Sequence, residues 1–267
     1  MTYRDLLPPA VFKITKKIFS KQQNYFSSFN EAENVCFGDG YNTIELCQMV
    51  GDKTVIHKNA IKKPYKIHPT YLLLAGVLSK FHSDYKKDTI SILDFGGSCG
   101  AVYFEIRPLL GNKIKLEWNV VDLPEMIKSA KAHKLENTEL NFFDNIENIP
   151  DNVDIVHTSS TLHYVKDAYE TISTLIDLNA KYILFNRMLF NETEDDHFIV
   201  QHSGYRGIGP GKVPSGYIDK DIDFPVRIMS FKKFSDILEK QYNLEWVYDI
   251  GVKVAGGFIE KGLLYTK

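Results

Sequence analysis

Residues 90–100 of the chain read Ile90-Ser91-Ile92-Leu93-Asp94-Phe95-Gly96-Gly97-Ser98-Cys99-Gly100. The first five have the apolar, β-rich composition of a buried strand, which ends at Asp94 and is followed at once by glycines. Glycine lets a backbone turn sharply and approach a ligand where a Cβ would intrude. Open α/β sheets bind ligands at the carboxyl ends of their strands. This stretch therefore predicts an α/β domain whose ligand site contains Asp94, Gly96, Gly97, Ser98 and Gly100.

From residue 88 onward the chain alternates between β-rich runs and helical segments. Strands are predicted at Ile90–Asp94, Lys115–Asp122, Glu139–Phe143, Val153–His157, Tyr182–Asn186, Leu244–Ile250 and Phe258–Thr266. Helices are predicted at Ala101–Leu110, Pro124–Lys134, Ala168–Leu178 and Phe231–Tyr242. This order indicates βαβ crossovers in a parallel sheet. Residues 188–229 show no such period, and we expect them to form a long irregular insertion with a functional role.

The residues before 88 have helical spacing instead. Apolar side chains recur on one helix face between Leu7 and Ile18, and Ser28 with Glu31 has the spacing of a capping box. We therefore predict two regions, a helical N-terminal cap over residues 1–87 that covers the substrate and a ligand-binding domain over residues 88–267. The basic residues of the first helix would also suit a membrane surface, but packing on the domain is the favoured interpretation.

Composition excludes several classes of protein. The chain has 267 residues, 44% of them hydrophobic, and a formal charge of −2, so neither a disordered chain nor a nucleic-acid groove is indicated. Its three cysteines have no disulfide-like or metal-like spacing, and no metal site is predicted. The longest apolar run, Tyr71–Leu78, is far shorter than the roughly 20 residues of a membrane helix. We expect a protein of the cytoplasm without an integral membrane span.

The acidic strand ends indicate which ligand the site takes. The glycine spacing departs from the GxGxxG of dinucleotide sites, and Asp94 suits an ammonium group better than a pyrophosphate. S-adenosylmethionine has such a group and no phosphate. Asp122, with Leu123 beside it, ends the next strand and is placed to accept both ribose hydroxyls. Asp144 ends the third strand, near the adenine amine, and Ser159 follows the fourth strand at the same edge.

Three motifs carry a family resemblance. They are Leu93-Asp94-Phe95-Gly96-Gly97-Ser98 with Tyr103-Phe104, then Trp118-Asn119-Val120-Val121-Asp122-Leu123-Pro124, then Ser159-Ser160-Thr161-Leu162-His163-Tyr164. The chain resembles class I S-adenosylmethionine-dependent methyltransferases associated with bacterial surface polysaccharides, most clearly over residues 88–187. The resemblance implies a seven-stranded, Rossmann-like α/β sheet with its last strand antiparallel.

Candidates for the acceptor site come from the residues that follow the fourth and fifth strands. Transfer to a hydroxyl needs a general base, and His163 and His202 are the predicted bases because histidine titrates near neutral pH. If the attacking oxygen is already anionic, no base is needed, and cations that hold a phosphate or carboxylate matter more. Arg187 and Arg206 are the predicted cations. The other predicted substrate contacts are Tyr65, His68 and Tyr205.

The sequence therefore predicts an S-adenosylmethionine-dependent methyltransferase. Its expected acceptor is an oxygen, of hydroxyl or phosphate type, on a small or sugar-linked metabolite of capsule or lipopolysaccharide biosynthesis. One alternative is a methyltransferase-like subunit that binds the cofactor or a partner without catalysis. The other is an NAD(P)-dependent oxidoreductase, which the glycine spacing disfavours. The oligomeric state is left open.

Overall fold

The computed structural model describes residues 25–38, 40–61, 67–111, 114–253 and 258–267. Within them the chain forms seven α-helices and nine β-strands. The helices are α1 (Phe29–Asn34), α2 (Ile44–Ala60), α3 (Pro69–Tyr85), α4 (Ala101–Leu110), α5 (Pro124–Ala132), α6 (Ala168–Asp177) and α7 (Phe231–Leu238). The strands are β1 (Thr89–Phe95), β2 (Lys115–Val121), β3 (Leu140–Phe143), β4 (Ile155–Ser159), β5 (Tyr182–Asn191), β6 (His197–Gly204), β7 (Asp221–Ser230), β8 (Asn243–Lys253) and β9 (Ile259–Thr266). None of these helices is long and apolar enough to cross a membrane.

Seven of the strands form the predicted sheet. The order β3-β2-β1-β4-β5 is parallel throughout. Strand β9 then pairs antiparallel with β5, and β8 pairs antiparallel with β9. Helices α4, α5 and α6 connect successive parallel strands, as the β-rich and helical runs predicted. The seven strands that the family resemblance implies are therefore present, with the last strand antiparallel, but the whole sheet has nine strands because β7 and β6 also join it.

Half of residues 188–229 lie in strands, so the prediction of an irregular insertion is wrong for that half and holds for residues 192–196 and for most of residues 205–220. Strand β5 continues to Asn191, and β6 and β7 form an antiparallel hairpin whose register runs from His197 with Ile228 to Gly204 with Asp221. The end of β5 also pairs in parallel with β7. Alternate residues of β7 are buried, which is the period of a strand with one face covered. Pro225, which cannot donate a ladder hydrogen bond, lies within this strand, opposite Val200 of β6.

Helices cover both faces of the sheet. On one face, α2, α3, α4 and α5 share a buried cluster with Ile90, Ile92 and Trp118. On the other face, α6 and α7 pack on Leu93, Val156 and Ile183. Neighbouring strand residues therefore enter opposite layers, as the alternation of a pleated strand requires.

Two of the helices before residue 88, α2 and α3, belong to the first of these layers. Helices α2 and α3 contribute Leu46, Met49, Leu74 and Val77 to the same buried cluster as the sheet. Helix α1 begins after the predicted capping residue Ser28, which accepts a hydrogen bond from the Glu31 backbone N–H at 3.2 Å. The predicted basic helix around residues 7–21 lies outside the described residues.

Candidate functional site

A cavity of about 850 Å³ opens at the carboxyl ends of the parallel strands. Its walls include eight of the nine residues that the sequence predicted for the cofactor: Asp94, Gly96, Gly97, Ser98, Asp122, Leu123, Asp144 and Ser159. Two predicted acceptor residues, His68 and Arg187, also line it. The remaining wall includes residues of α3, residues 160–165 after β4, and residues between 201 and 210 at the end of β6 and in the connection that follows it. Residues distant in the sequence thus meet at one edge of the sheet.

The turn after β1 has a backbone that side chains other than glycine would disturb. Gly96 has a φ of 72°, and a Cβ built on it would lie 2.2 Å from the side chain of Thr161. A Cβ on Gly97 would lie 2.5 Å from Asp94 Oδ2. The Gly96 N–H donates to the carbonyl of Val121 at 2.8 Å, which ties the turn to β2. The turn is therefore held close to the cavity by packing that only glycines permit.

Gly100 was predicted to be part of the ligand site, but it lies at the start of α4 instead. It precedes α4 with a φ of 77°, and a Cβ there would come within 3.1 Å of the Phe142 ring. Gly100 is buried and does not line the cavity. Its role in this structure is to let the helix begin close to β3, because the left-handed conformation and the nearby ring both favour glycine.

Asp122 connects the glycine turn to the end of β2. Its Oδ2 accepts a hydrogen bond from the Ser98 backbone N–H at 2.8 Å, and its Oδ1 accepts one from the Leu123 N–H at 2.7 Å. Burial raises the pKa of this carboxyl to about 6; the two N–H donors oppose the rise and the negative charge of Asp94 adds to it. The carboxylate is thus ionised at neutral pH, and its remaining lone pairs are available to a ligand in the cavity.

Asp94 lies beneath the turn and is 1% exposed. Its Oδ2 accepts a hydrogen bond from the Trp118 indole N–H at 3.1 Å, and its Oδ1 lies 2.8 Å from Nδ1 of His157. An ionised carboxylate has about four acceptor positions, so these contacts leave some of them unused. The prediction that Asp94 faces an ammonium group is compatible with this geometry, but the carboxylate also anchors the turn.

The two predicted bases do not line the cavity. His163 is 2% exposed, its Nε2 lies 3.4 Å from Ser160 Oγ, and its Nδ1 has no hydrogen-bond partner among the described residues. Burial, with a further contribution from the charge of Arg187, lowers the pKa of His163 to about 3. Such a ring is neutral at physiological pH but gains too little by protonation to be an efficient base. His202 is on β6, with a side chain 68% exposed and Nδ1 2.7 Å from Asp223 Oδ1.

The remaining predicted acceptor residues are spread over the molecule. Arg206 is 61% exposed and forms ion pairs with Asp219 and Asp221, outside the cavity. Tyr205 is buried, and its backbone carbonyl accepts a hydrogen bond from Lys53 Nζ at 2.8 Å. Tyr65 lies outside the described residues. Since the chain turns through a 3₁₀ helix at Tyr205–Gly207, neighbouring side chains there point to different surroundings.

The sequence did not indicate several polar side chains of the cavity. Tyr41, Tyr71, Tyr164 and Gln201 all line it, and the Tyr164 hydroxyl donates to Gln201 Oε1 at 2.8 Å. The Tyr41 ring stacks on Phe224 with the centroids 4.2 Å apart. Tyr164 stands in one of the three family-like motifs, so it could have been found there. Tyr41 follows a glycine turn and carries no local signal of function.

No group of three or more histidine, cysteine, aspartate or glutamate residues in the described ranges is placed to hold a metal ion.

Comparisons with known proteins give matches in fold. No family model and no curated protein sequence matches the chain. Similar solved structures include an S-adenosylmethionine-dependent methyltransferase from Clostridium acetobutylicum ATCC 824, with 14% identity, a TM-score of 0.46, and coverage of 79% of this chain and 96% of the other. The N-methyltransferase NodS from Bradyrhizobium japonicum WM9, in complex with S-adenosyl-L-homocysteine, has 12% identity and a TM-score of 0.45, with coverage of 82% of this chain and 98% of the other. Magnesium protoporphyrin IX methyltransferase (ChlM) from Synechocystis PCC 6803 with bound SAH has 12% identity and a TM-score of 0.49, with coverage of 86% of this chain and 100% of the other. At these identities and TM-scores, function has to be argued from the residues of this chain.

Proposed function

We propose that the chain is an S-adenosylmethionine-dependent methyltransferase. The observation that carries this proposal is the charge of the cavity at the ends of the first three strands, where Asp94, Asp122 and Asp144 are grouped around a glycine turn. No arginine or lysine lines that end in the described part of the chain. A pyrophosphate would be repelled there, whereas a sulfonium and an ammonium group would be attracted.

The residues of the cavity fit the parts of this cofactor. Asp122 would accept the ribose hydroxyls, and Asp144, exposed at the end of β3, would meet the adenine amine. Gly96, Gly97 and Ser98 would let the backbone approach the amino-acid part, with Asp94 beneath them. When bound, S-adenosylmethionine would supply an activated methyl group. The chain itself has to orient the acceptor and keep water away from the reacting atoms.

The acceptor that we propose is an oxygen of a small or sugar-linked metabolite. Its assignment to surface-polysaccharide biosynthesis, and hence to the cytoplasm, is supported by the family resemblance of the three motifs. Because neither His163 nor His202 lines the cavity, neither is placed to act as the base, and an acceptor that is already ionised needs none. In the described part of the chain, His68 is the histidine that lines the cavity, and its Nδ1 lies 2.7 Å from Thr70 Oγ1.

Calorimetric titration with S-adenosylmethionine, S-adenosylhomocysteine (SAH) and NAD tests the proposal. We expect the first two to bind and NAD not to bind, since the carboxylates repel its pyrophosphate. Binding of NAD alone would support an oxidoreductase instead. SAH binding without transfer of a labelled methyl group to any sugar phosphate, uronate or phosphate monoester tried would favour a binding subunit.

A further inference from the structure

The charged side chains of the cavity are divided between its two ends. Asp94 lies near the end of β1, and Asp122 and Asp144 follow β2 and β3, whereas Arg187 lies on β5. Among the residues that line the cavity in the described part of the chain, Arg187 is the one arginine or lysine. A ligand that spans the cavity therefore meets carboxylates at one end and a guanidinium at the other.

The backbone at Arg187 is unusual for a residue inside a strand. Its φ is 53°, in the left-handed region, and the pairing of β5 with β9 shifts register between Phe185 and Met188. Ser98 and Ser160, which also line the cavity, have φ values of 55° and 56°. Residues other than glycine are disfavoured in this conformation, and such residues concentrate at functional sites. The irregularity turns the strand at the point where the guanidinium meets the cavity.

The Arg187 guanidinium is only weakly engaged by the protein. In the described ranges its recorded hydrogen-bond partner is Glu260, whose Oε1 lies 3.5 Å from Nη2, and the arginine side chain is 43% exposed. A guanidinium has five N–H donors, and one long contact uses few of them. By contrast, the cavity-distant Arg227 is bound by Asp196 at 2.7 Å and by the Lys166 carbonyl at 2.6 Å. Arg187 therefore has donors to offer a ligand.

Three phenol groups line the same cavity as this cation. Burial raises the pKa of Tyr41, Tyr71 and Tyr164, and the charge of Arg187 opposes the rise at each ring. All three hydroxyls thus stay protonated at neutral pH, and those of Tyr41 and Tyr71 can donate hydrogen bonds. The guanidinium and these phenol O–H groups are donors in one cavity wall, which suits an oxyanion, and the carboxylate that contacts the guanidinium, Glu260, does not line the cavity.

We propose that the acceptor binds at this end through an oxyanion, a phosphate or carboxylate group held by Arg187 with Tyr41 and Tyr71. The inference rests on the proposed function, because it takes the carboxylate end of the cavity as the cofactor end. The opposite charges of the two ends would also prevent the acceptor from binding the wrong way round, since its anion would be repelled by Asp122.

The test uses the protein saturated with SAH and three probes, glucose 1-phosphate, glucuronate and glucose. Calorimetry or saturation-transfer NMR should show binding of at least one anionic probe and weaker or no binding of glucose. Arg187→Gln should weaken the anionic probe at least tenfold and leave SAH affinity within about twofold. Comparison of glucose 1-phosphate with glucuronate identifies the oxyanion that the site prefers.

Arg206→Gln is the matched control, because Arg206 is an exposed arginine outside the cavity. Its loss should change neither the affinity for the anionic probe nor the affinity for SAH. If Arg187→Gln fails to fold, Arg187→Gly removes the same guanidinium at a position whose φ glycine adopts without strain. Absence of SAH binding by the wild-type protein would contradict the proposed function. If SAH binds but neither anionic probe does, this inference alone is overturned. The same follows if an anionic probe binds equally well to the wild type and to the Arg187 variants.

Discussion

The Asp122 carboxylate accepts a hydrogen bond of 2.8 Å from the backbone N–H of Ser98, which joins the turn after β1 to the end of β2. The same carboxylate lines the cavity. One side chain thus shapes the glycine turn and offers acceptor positions to a ligand. Loss of Asp122 should affect the cavity both by removing a ligand contact and by freeing the turn.

Asp122→Ala should weaken SAH binding about tenfold or more, because a hydrogen bond to a charged group contributes roughly 1.5–3 kcal/mol. The variant should still fold, as judged by circular dichroism and its unfolding transition. Asp122→Asn, which keeps one oxygen acceptor, should lose less affinity than the alanine variant. Asp151→Asn is the control, since Asp151 is exposed and outside the cavity. Unchanged SAH affinity in a folded alanine variant would remove Asp122 from the cofactor site.

The raised pKa of Asp122 predicts that SAH affinity depends on pH. Above about pH 7 the carboxylate is ionised and affinity should be constant, whereas below its pKa of about 6 a proton occupies an acceptor position and affinity should fall. Binding near pH 5.5 should then release a proton, visible as a dependence of the calorimetric enthalpy on the buffer. Asp122→Asn should lack both effects. A wild-type affinity that is flat from about pH 5 to 8 would contradict the assignment.

The raised pKa of Asp122 also makes the stability of the ligand-free protein depend on pH. Stability should rise as pH falls, whereas SAH affinity should decrease. The folded-state pKa lies above the ordinary value of 3.8, so the ligand-free folded chain binds this proton more readily than the unfolded chain. The contribution of Asp122 to the free energy of unfolding should therefore grow as pH falls from about 6 towards 4. Urea unfolding of the wild type and of Asp122→Asn across this range isolates the effect.

Gly96→Ala should abolish or strongly weaken SAH binding. The new methyl group would meet Thr161 at 2.2 Å while the backbone keeps a φ of 72°, so the turn has to move. Gly111→Ala is the matched control, because Gly111 has a φ of 65° and no atom within 4 Å of a built Cβ. Both variants should lose similar stability from the backbone conformation, but only Gly96→Ala should lose SAH. Retained affinity in Gly96→Ala would mean that the turn does not contact the ligand.

His163 should show no titration between about pH 5 and 9 in NMR spectra of its ring, because burial lowers its pKa to about 3. Its signal can be assigned with His163→Gln, which should still bind SAH. His202→Ala should leave SAH affinity and turnover within a few-fold, since that side chain contacts Asp223 at an exposed position. A hundredfold loss of turnover in His202→Ala, with SAH affinity intact, would restore it as a base.

Lys53 should stabilise the folded protein and hold Ile208 in its place in the wall of the cavity. Its Nζ donates to the carbonyls of Tyr205 at 2.8 Å and Ile208 at 2.6 Å, and the residue is 1% exposed. Lys53→Met leaves both carbonyls without this donor and should cost about 2–4 kcal/mol in the free energy of unfolding. Amide exchange near Ile208 should become faster. Lys128→Met, at an exposed ion pair with Glu125, should change stability little.

Local patterns in the sequence were enough to predict the parallel sheet and its glycine turn. A strand such as Ile90–Asp94 is buried on both faces and is therefore mostly apolar, and a turn that approaches a ligand needs glycine at Gly96 and Gly97. Since parallel strands end at one edge, Asp122 and Asp144 could be placed beside Asp94 without coordinates. These features depend on residues near each other in the chain.

The β6–β7 hairpin shows where local patterns fail. Strand β7 alternates polar and apolar residues and β6 does not, and Pro225 and the polar connection between the two strands resemble an irregular segment. What holds β7 in place is its pairing with β6 and with Phe190–Asn191 at the end of β5. The paired residues are 17 to 31 positions apart between β6 and β7 and 39 apart between β5 and β7, so no short window of sequence contains these contacts.

The sequence by itself determined the fold class, the ligand-binding edge and eight side chains or glycines that line the cavity, because each follows from the type of residue at a strand end. Tertiary structure decided which of the other predicted polar residues reach the cavity. His163 comes just after β4 and Arg187 lies within β5, yet the first is buried with its pKa lowered and the second lines the cavity. The environment of a titratable side chain is set by the neighbours that exclude water from it, and those neighbours come from helices, strands and loops throughout the chain.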